Sequence, residues 1–420
     1  MTSTLDFSAP TGSTPRMETA PGRTRRSFRL RHGAGFWVIA AAFLAVMAFS
    51  TIPTPLYAFY QARDGFPTWV VTVIFAAYAV GVIASLFLIG HLSDIAGRRR
   101  MVLIAVLIEI VSAALFLVWN DVAGLIVART LSGIGVGALT ASATAHLSEL
   151  RAVARPDEGP ATAGTVSTVV NTGGLAFGPL IGGAFAQFLP EPLLLPYAVF
   201  LVVLAVAAVA VALVPETVER AEERPAYRPQ RISLPAEARG AFSAAAVAAF
   251  AGFAVFGLFT SLAPSVLVVT LHQTSHLLAG FVPFAVFAAS AISQIVFARV
   301  SSRAQLILAL VLMLVGLAGL AAGVLTASFA VFLVSGVLAG AGVGLQFRSA
   351  IAAAASLAAP ERRGEVLAAI FLIAYIGLAV PVLLVGVALI FWPLVPVLVV
   401  FVAAVAALSV PAGLRMLRRA

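Results

Sequence analysis

The sequence predicts an all-α membrane protein whose twelve transmembrane helices form two six-helix, pseudo-symmetric halves. Three observations predict it: an apolar composition, twelve apolar runs of spanning length, and short motifs that recur in the second half of the chain. Of 420 residues, 61% are hydrophobic and 10% are charged, with a mean hydropathy of +1.07. About a quarter of the residues in a soluble domain are charged. A water-soluble ball has no way to bury this much apolar surface, so a bilayer must cover it.

The elements follow in order. Residues 1–34 are polar and rich in Ser, Thr, Pro and Arg, and read as a disordered cytoplasmic tail. The apolar run that follows is too long for a cleaved signal peptide and reads as a retained anchor. A spanning helix needs about 20 apolar residues. That length places spans at 36–60, 68–90, 101–119, 122–150, 162–189 and 193–214 in the first half, 35–214. A charged, proline-bearing linker occupies 215–240. The second half, 241–414, holds spans at 241–270, 277–299, 305–325, 329–356, 364–390 and 393–412, before a short tail at 415–420. With the N-terminus inside, the arginines gather in the inner links and both tails, and only Arg63 falls in an outer link. This bias predicts a multi-pass protein of the cell membrane with both termini cytoplasmic.

The halves are related. "SGIGVG" at Ser132–Gly137 recurs as "AGAGVG" at Ala339–Gly344, and "FSTIPTP" at Phe49–Pro55 resembles "FTSLAPS" at Phe259–Ser265. "GGLAFGPLIGG" at Gly173–Gly183 recurs more faintly as "IGLAVPVLLVG" at Ile376–Gly386. Two parallel repeats enclosing a site near the bilayer midplane are transporter architecture.

Composition also excludes function classes. The net charge of +9 comes from arginines scattered over short links, and these form no continuous basic face for nucleic acid. With no cysteine there is neither a disulfide framework nor a thiolate metal site. Every basic residue is arginine, so no G-x-x-x-x-G-K-[ST] nucleotide loop is present. Five histidines and one acid deep within a span offer no convergent nucleophile, base or metal ligands, so the chain is not expected to be an enzyme.

Three motifs resemble the major facilitator superfamily of transporters. "GHLSDIAGRRR" between the second and third spans resembles its G-x-L-x-D-x-x-G-R-R signature at Gly90, Leu92, Asp94, Gly97, Arg98 and Arg99. "LIVARTLSGIGVG" resembles its fourth-helix motif at Leu125, Arg129, Gly133 and Gly135. "GLAFGPLIGG" resembles its fifth-helix antiporter motif at Gly174, Gly178, Pro179, Gly182 and Gly183. The resemblance implies the superfamily's fold and, through the fifth-helix motif, the bacterial drug:proton antiporter branch: proton-coupled efflux of small apolar or amphipathic compounds by alternating access. The alternative is an importer or facilitator of a small solute on the same fold. No cofactor is implied beyond the proton as coupling ion. The expected partners are a small-molecule substrate and the lipid bilayer, with the monomer as the working unit.

The motif residues also carry their own physics. Gly90 and Gly97 permit a tight reversal between spans, and the arginines anchor topology. A carboxylate at a membrane edge wants a partner, which a helix N-terminus can supply. The resemblance places Asp94 against the start of the eleventh span and pairs Arg98 with Glu149, as a conformational latch between the halves. Gly174, Gly178 and Gly182 share one helix face and permit close packing. Arg129 lies about 10 Å from the outer end of its span, where a charge faces a cavity or partner. The resemblance makes it a participant in proton coupling. Glu109, about 12 Å from the inner end of the third span, is either a proton carrier or a carboxyl group bonded to a neighbouring helix. His146 reads as a solvated side chain near a helix end. Polar candidates for the substrate cavity are Thr51, Thr54, Tyr57, Tyr78, Asn171, Thr260, Ser261, Gln294, Gln346 and Tyr375. The first span carries no acid, unlike many drug exporters.

Overall fold

The computed structural model describes residues 29–89, 97–159, 161–218, 236–357 and 363–419. Most of the N-terminal tail, the central part of the linker, and Gly90 and Asp94 of the latch motif lie outside the described residues. Regular structure among the described residues is entirely α-helical. The first half contains α1 (His32–Thr51), α2 (Pro53–Asp64), α3 (Thr68–Ile89), α4 (Arg98–Val118), α5 (Val122–Ala154), α6 (Ala161–Phe188) and α7 (Leu195–Ala212). The second contains α8 (Ala236–Ser261), α9 (Ala263–Val269), α10 (His276–Val296), α11 (Ser302–Leu325), α12 (Phe329–Ser356), α13 (Arg363–Phe391) and α14 (Leu394–Leu417). Among the described residues twelve segments are long and apolar enough to cross a membrane, with α1 and α2 together forming the first.

The same interruption occurs in both halves. The first span breaks at Ile52, and the helix expected through 241–270 ends at Ser261 and resumes at Ala263. Proline explains both breaks. Pro53 and Pro55 have no N–H to offer the carbonyls of Phe49 and Thr51, and Pro264 withholds one from Thr260. The breaks fall within the repeated "FSTIPTP" and "FTSLAPS" segments.

Packing follows the repeat as well. Gly133 of α5 seats against the Tyr78 carbonyl of α3, and Gly340 of α12 seats against the Val286 carbonyl of α10. A side chain at either glycine would collide with backbone, so these crossings are set by the absence of a Cβ. Outward-facing stripes are apolar: Val202, Val206 and Val209 on α7 are each more than 60% exposed. Such a stripe suits hydrocarbon, the environment a spanning helix turns outward to.

An even number of crossings returns the first and last described residues to one face, which is also where described link arginines such as Arg99 and Arg151 lie. The described contacts between halves concentrate toward the opposite face. There α6 packs on α10, the Phe59 ring lies 4.3 Å from that of His276, and Gly386 of α13 abuts Thr72 of α3. Toward the arginine-rich face, Gly164 and Gly364 look into open space. The molecule is therefore closed on the face opposite its chain ends.

Candidate functional site

A cavity lies between the halves. The first half contributes Thr51 and Thr54 at the span-one break, Phe75 and Tyr78 of α3, Arg129 and Thr140 of α5, and Asn171, Thr172 and Leu175 of α6. The second half contributes Thr260 at the span-seven end, Ser290 and Gln294 of α10, and a wall of aromatic rings. Phe253 is the hub of that wall, with ring centroids 5.7 Å from Phe256, 4.9 Å from Phe347 and 5.7 Å from Tyr375. Phe256 stacks on Phe287 at 4.4 Å, and Phe371 meets Phe347 at 5.6 Å. The cavity volume is about 90 Å³. Drug-sized sites run roughly 300–1,000 Å³, so a larger solute requires the halves to move apart.

The two walls differ in chemistry. The first half brings hydroxyls, an amide and a cation; the second brings mostly rings. The repeat sharpens this contrast, because the position matching Arg129 is Gly336, and the Phe259 ring packs directly against it. One half thus fills with an aromatic side chain the slot where the other holds a charge.

Arg129 is 3% exposed and donates from Nη1 to the Ser50 carbonyl. That carbonyl belongs to the last turn of α1, where orphan carbonyls and the helix dipole favour a cation. Its guanidinium carbon also lies 4.3 Å from the centroid of Tyr78 and 6.0 Å from that of Phe75, within cation–π range. No carboxylate among the described residues pairs with it in an ion pair or lines the cavity. The span-one break therefore positions this arginine.

Glu109 is fully buried but does not line the cavity. It lies behind α5, where a Cβ at Gly135 would come within 2.7 Å of its Oε1. The charge of Arg129 acts on it from the same region. Glu109 and the cavity are thus on two sides of the helix that carries Arg129.

Of the other expected cavity residues, Thr51, Thr54, Tyr78, Asn171, Thr260, Gln294 and Tyr375 line it, while Tyr57, Ser261 and Gln346 are buried elsewhere. Gln346 donates to the Ala248 carbonyl at 2.9 Å, and Ser261 to Gly257 within its own helix. Sequence reasoning singled out neither Thr140, Thr172 and Ser290 nor any of the six phenylalanines. The phenylalanines recur within α8 and α12–α13, but no spacing separates them from the other Phe residues of the chain.

Near the arginine-rich face a second cluster joins α4, α5 and the end of the sixth span. Arg98 pairs with Glu149 at 3.1 Å, and Glu149 also accepts from Thr217 Oγ1. The Arg99 backbone N–H donates to Glu216, and its guanidinium donates to the carbonyls of Ala212 and Val214. Gly97 has φ +99°, and a Cβ there would meet Glu216 Oε2 at 2.6 Å, so both conformation and space require glycine. Glu216 went unnoticed in the sequence; its position just past the sixth span was the available signal. His146 departs from the expected solvated state. It is fully buried, and its Nε2 lies 3.1 Å from the Pro215 carbonyl, because the chain leaving the sixth span folds over it.

The glycine stripe of α6 has two contacts. Gly174, Gly178 and Gly182 receive the backbone of span one at its break, and Thr51 Oγ1 donates to the Leu175 carbonyl at 3.2 Å. Gly183 and the Pro179 carbonyl meet Gly280 of α10, across the boundary between halves. Gln187 adds polar contacts there, its Oε1 accepting from Ser275 Oγ and the His276 N–H.

The sequence model of the Major Facilitator Superfamily matches residues 38–380. The chain belongs to the major facilitator superfamily. It is a multi-pass transporter on that fold. A fungal relative, the acurin A biosynthesis cluster MFS-type transporter of Aspergillus aculeatus, is 26% identical over 164 residues, or 37% of this chain and 28% of that protein. The chain thus matches under a third of that relative's length. Among solved structures, the human organic anion transporter MFSD10 (TETRAN) superposes with TM-score 0.66 at 16% identity, covering 92% of this chain and 100% of that one. A mutant of the nucleoside transporter NupG gives TM-score 0.68 at 11% identity over 92% and 99%. An inward-facing, unoccupied bacterial homologue of the human lysosomal transporter Spinster gives 0.67 at 14% over 92% and 96%. At these identities the likeness concerns the fold.

Proposed function

We propose that this transporter exports small apolar or amphipathic compounds in exchange for protons, by alternating access, with Arg129 and Glu109 as the coupling pair. One observation carries the reading: α5 presents Arg129 to an aromatic cavity on one side while Glu109 is buried against its other side. With Glu109 ionised, the pair is neutral overall, and the ring-lined cavity accepts an apolar or cationic amphiphile. A proton on Glu109 leaves the charge of Arg129 uncompensated in a medium that screens it poorly. That charge repels a cation and draws water toward the rings, so solute and proton compete, which is the requirement for antiport. The fifth-helix stripe supports the same reading by sealing the empty carrier at the opposite face through Gly183 and Gly280.

The test is made in proteoliposomes with tetraphenylphosphonium as the probe. Glu109→Gln, which fixes the uncharged form, should weaken binding and exchange of this cation at every pH and lose its accumulation driven by a pH gradient. Full pH-driven accumulation by Glu109→Gln refutes the coupling assignment.

A further inference from the structure

A second cavity, of about 540 Å³, opens at the arginine-rich face of the second half, away from the substrate cavity. Its walls come from α8, the α10–α11 turn, α12 and α14. Three arginines line it: Arg348 from α12, and Arg415 and Arg419 four residues apart on α14. No carboxylate among the described residues does so. Like charges four residues apart on a helix repel one another, so this arrangement is favourable once an anion lies between them. Arg348 uses Nη1 on the Gln294 carbonyl at 2.7 Å, and a guanidinium has five N–H donors in all. Ser349, only 9% exposed, also lines the cavity, and its hydroxyl has no hydrogen-bond partner in the protein. Leu306, Leu357 and Met416 give the same cavity an apolar side.

We propose that this pocket binds a phosphate group, and that the phosphate is the head group of an anionic phospholipid. Arginine forks match phosphate oxygens in geometry and charge, and the serine hydroxyl adds a neutral donor. The pocket opens at the helix ends, the level of the head groups, and basic pockets between spanning helices at this level suit such lipids. The apolar side then receives the first part of the acyl chains. Occupancy would also reach the transport site, because Arg348 bonds the backbone of Gln294, a residue of the substrate cavity.

The experiment uses the full chain purified in a neutral detergent, titrated with phosphatidylglycerol, phosphatidylcholine or inorganic phosphate, with binding read by native mass spectrometry and by the thermal midpoint. Phosphatidylglycerol should bind and raise the midpoint, and phosphatidylcholine should do so less. Arg415→Gln and Arg419→Gln should each weaken the phosphatidylglycerol effect by about fivefold, taking about 1 kcal/mol per basic residue near the surface. Ser349→Ala, a smaller change at an uncharged position, should weaken it less. If inorganic phosphate reproduces the arginine-dependent shift and the lipid does not, the lipid assignment is overturned and a soluble anion takes its place. If phosphatidylglycerol binds equally to parent and both arginine variants, the site itself is overturned.

Discussion

Gly183→Ala places a methyl group at the seam between the halves. The new Cβ would lie 2.7 Å from the His276 carbonyl oxygen and 3.0 Å from Gly280 Cα. Both neighbours are backbone of α10 and have no rotamer with which to yield. Overpacking of this kind costs about 1–3 kcal/mol. The strain exists only while α6 and α10 touch at the opposite face, so parting the halves relieves it. The substitution should therefore shift the conformational equilibrium toward the form open at that face by about 5- to 150-fold. The chain has no cysteine, so a single reporter is clean. A Thr54→Cys reporter in the cavity wall should react faster with a membrane-impermeant maleimide applied from the opposite face. Gly173→Ala is the matched control, because its Cβ would meet only Leu44 Cδ1 at 4.0 Å, an ordinary contact. If Gly183→Ala is folded and its reporter reacts no faster than in the control, the seam is not what holds this face closed.

Three further outcomes are expected. Arg98→Gln and Glu149→Gln should each lower the thermal midpoint in detergent, and the double variant should show a coupling of about 1 kcal/mol or less, as fits a partly exposed ion pair. Asp94→Asn, tested by transport in membranes with matched protein abundance, should lower the transport rate; an unchanged rate removes the latch reading of the second-to-third link. Phe253→Ala removes the ring that meets Phe256, Phe347 and Tyr375 and should weaken binding of an aromatic probe by about tenfold, measured by equilibrium dialysis, while leaving a small aliphatic probe less affected.

The spans were legible because a bilayer demands a long apolar run for each crossing, and that demand leaves a mark in any window of the sequence. The repeat was legible because both halves bury the same small residues at the same crossings, as Gly133 and Gly340 do. The motif at Pro53–Pro55 was read as a repeat, yet its consequence appears only in three dimensions: a broken helix whose freed turn receives Arg129. Half of the cavity was legible too. Polar residues such as Asn171 stand out within apolar helices, but the aromatic wall does not, since the described phenylalanines face lipid, core and cavity alike. Which way each ring points depends on helix rotation and crossing, not on local pattern. Glu109 shows the same limit. Its depth could be counted along the helix, whereas its position behind α5, against Gly135, depends on how α4 and α5 pack. Glu216 and His146 were obscured because the chain leaving the sixth span folds back over the helix ends, a path set by long-range contacts.

The central claim is that solute and proton compete through Arg129. Its most direct test places the purified chain in proteoliposomes oriented so that the arginine-rich face receives the added compound, with an acidic lumen reported by an enclosed pH dye. Adding a lipophilic cation or a neutral aromatic compound should release protons from the lumen with the parent chain and fail to do so with Arg129→Gln. Proton release that persists undiminished in Arg129→Gln, or solute entry that carries protons into the lumen, would contradict the account.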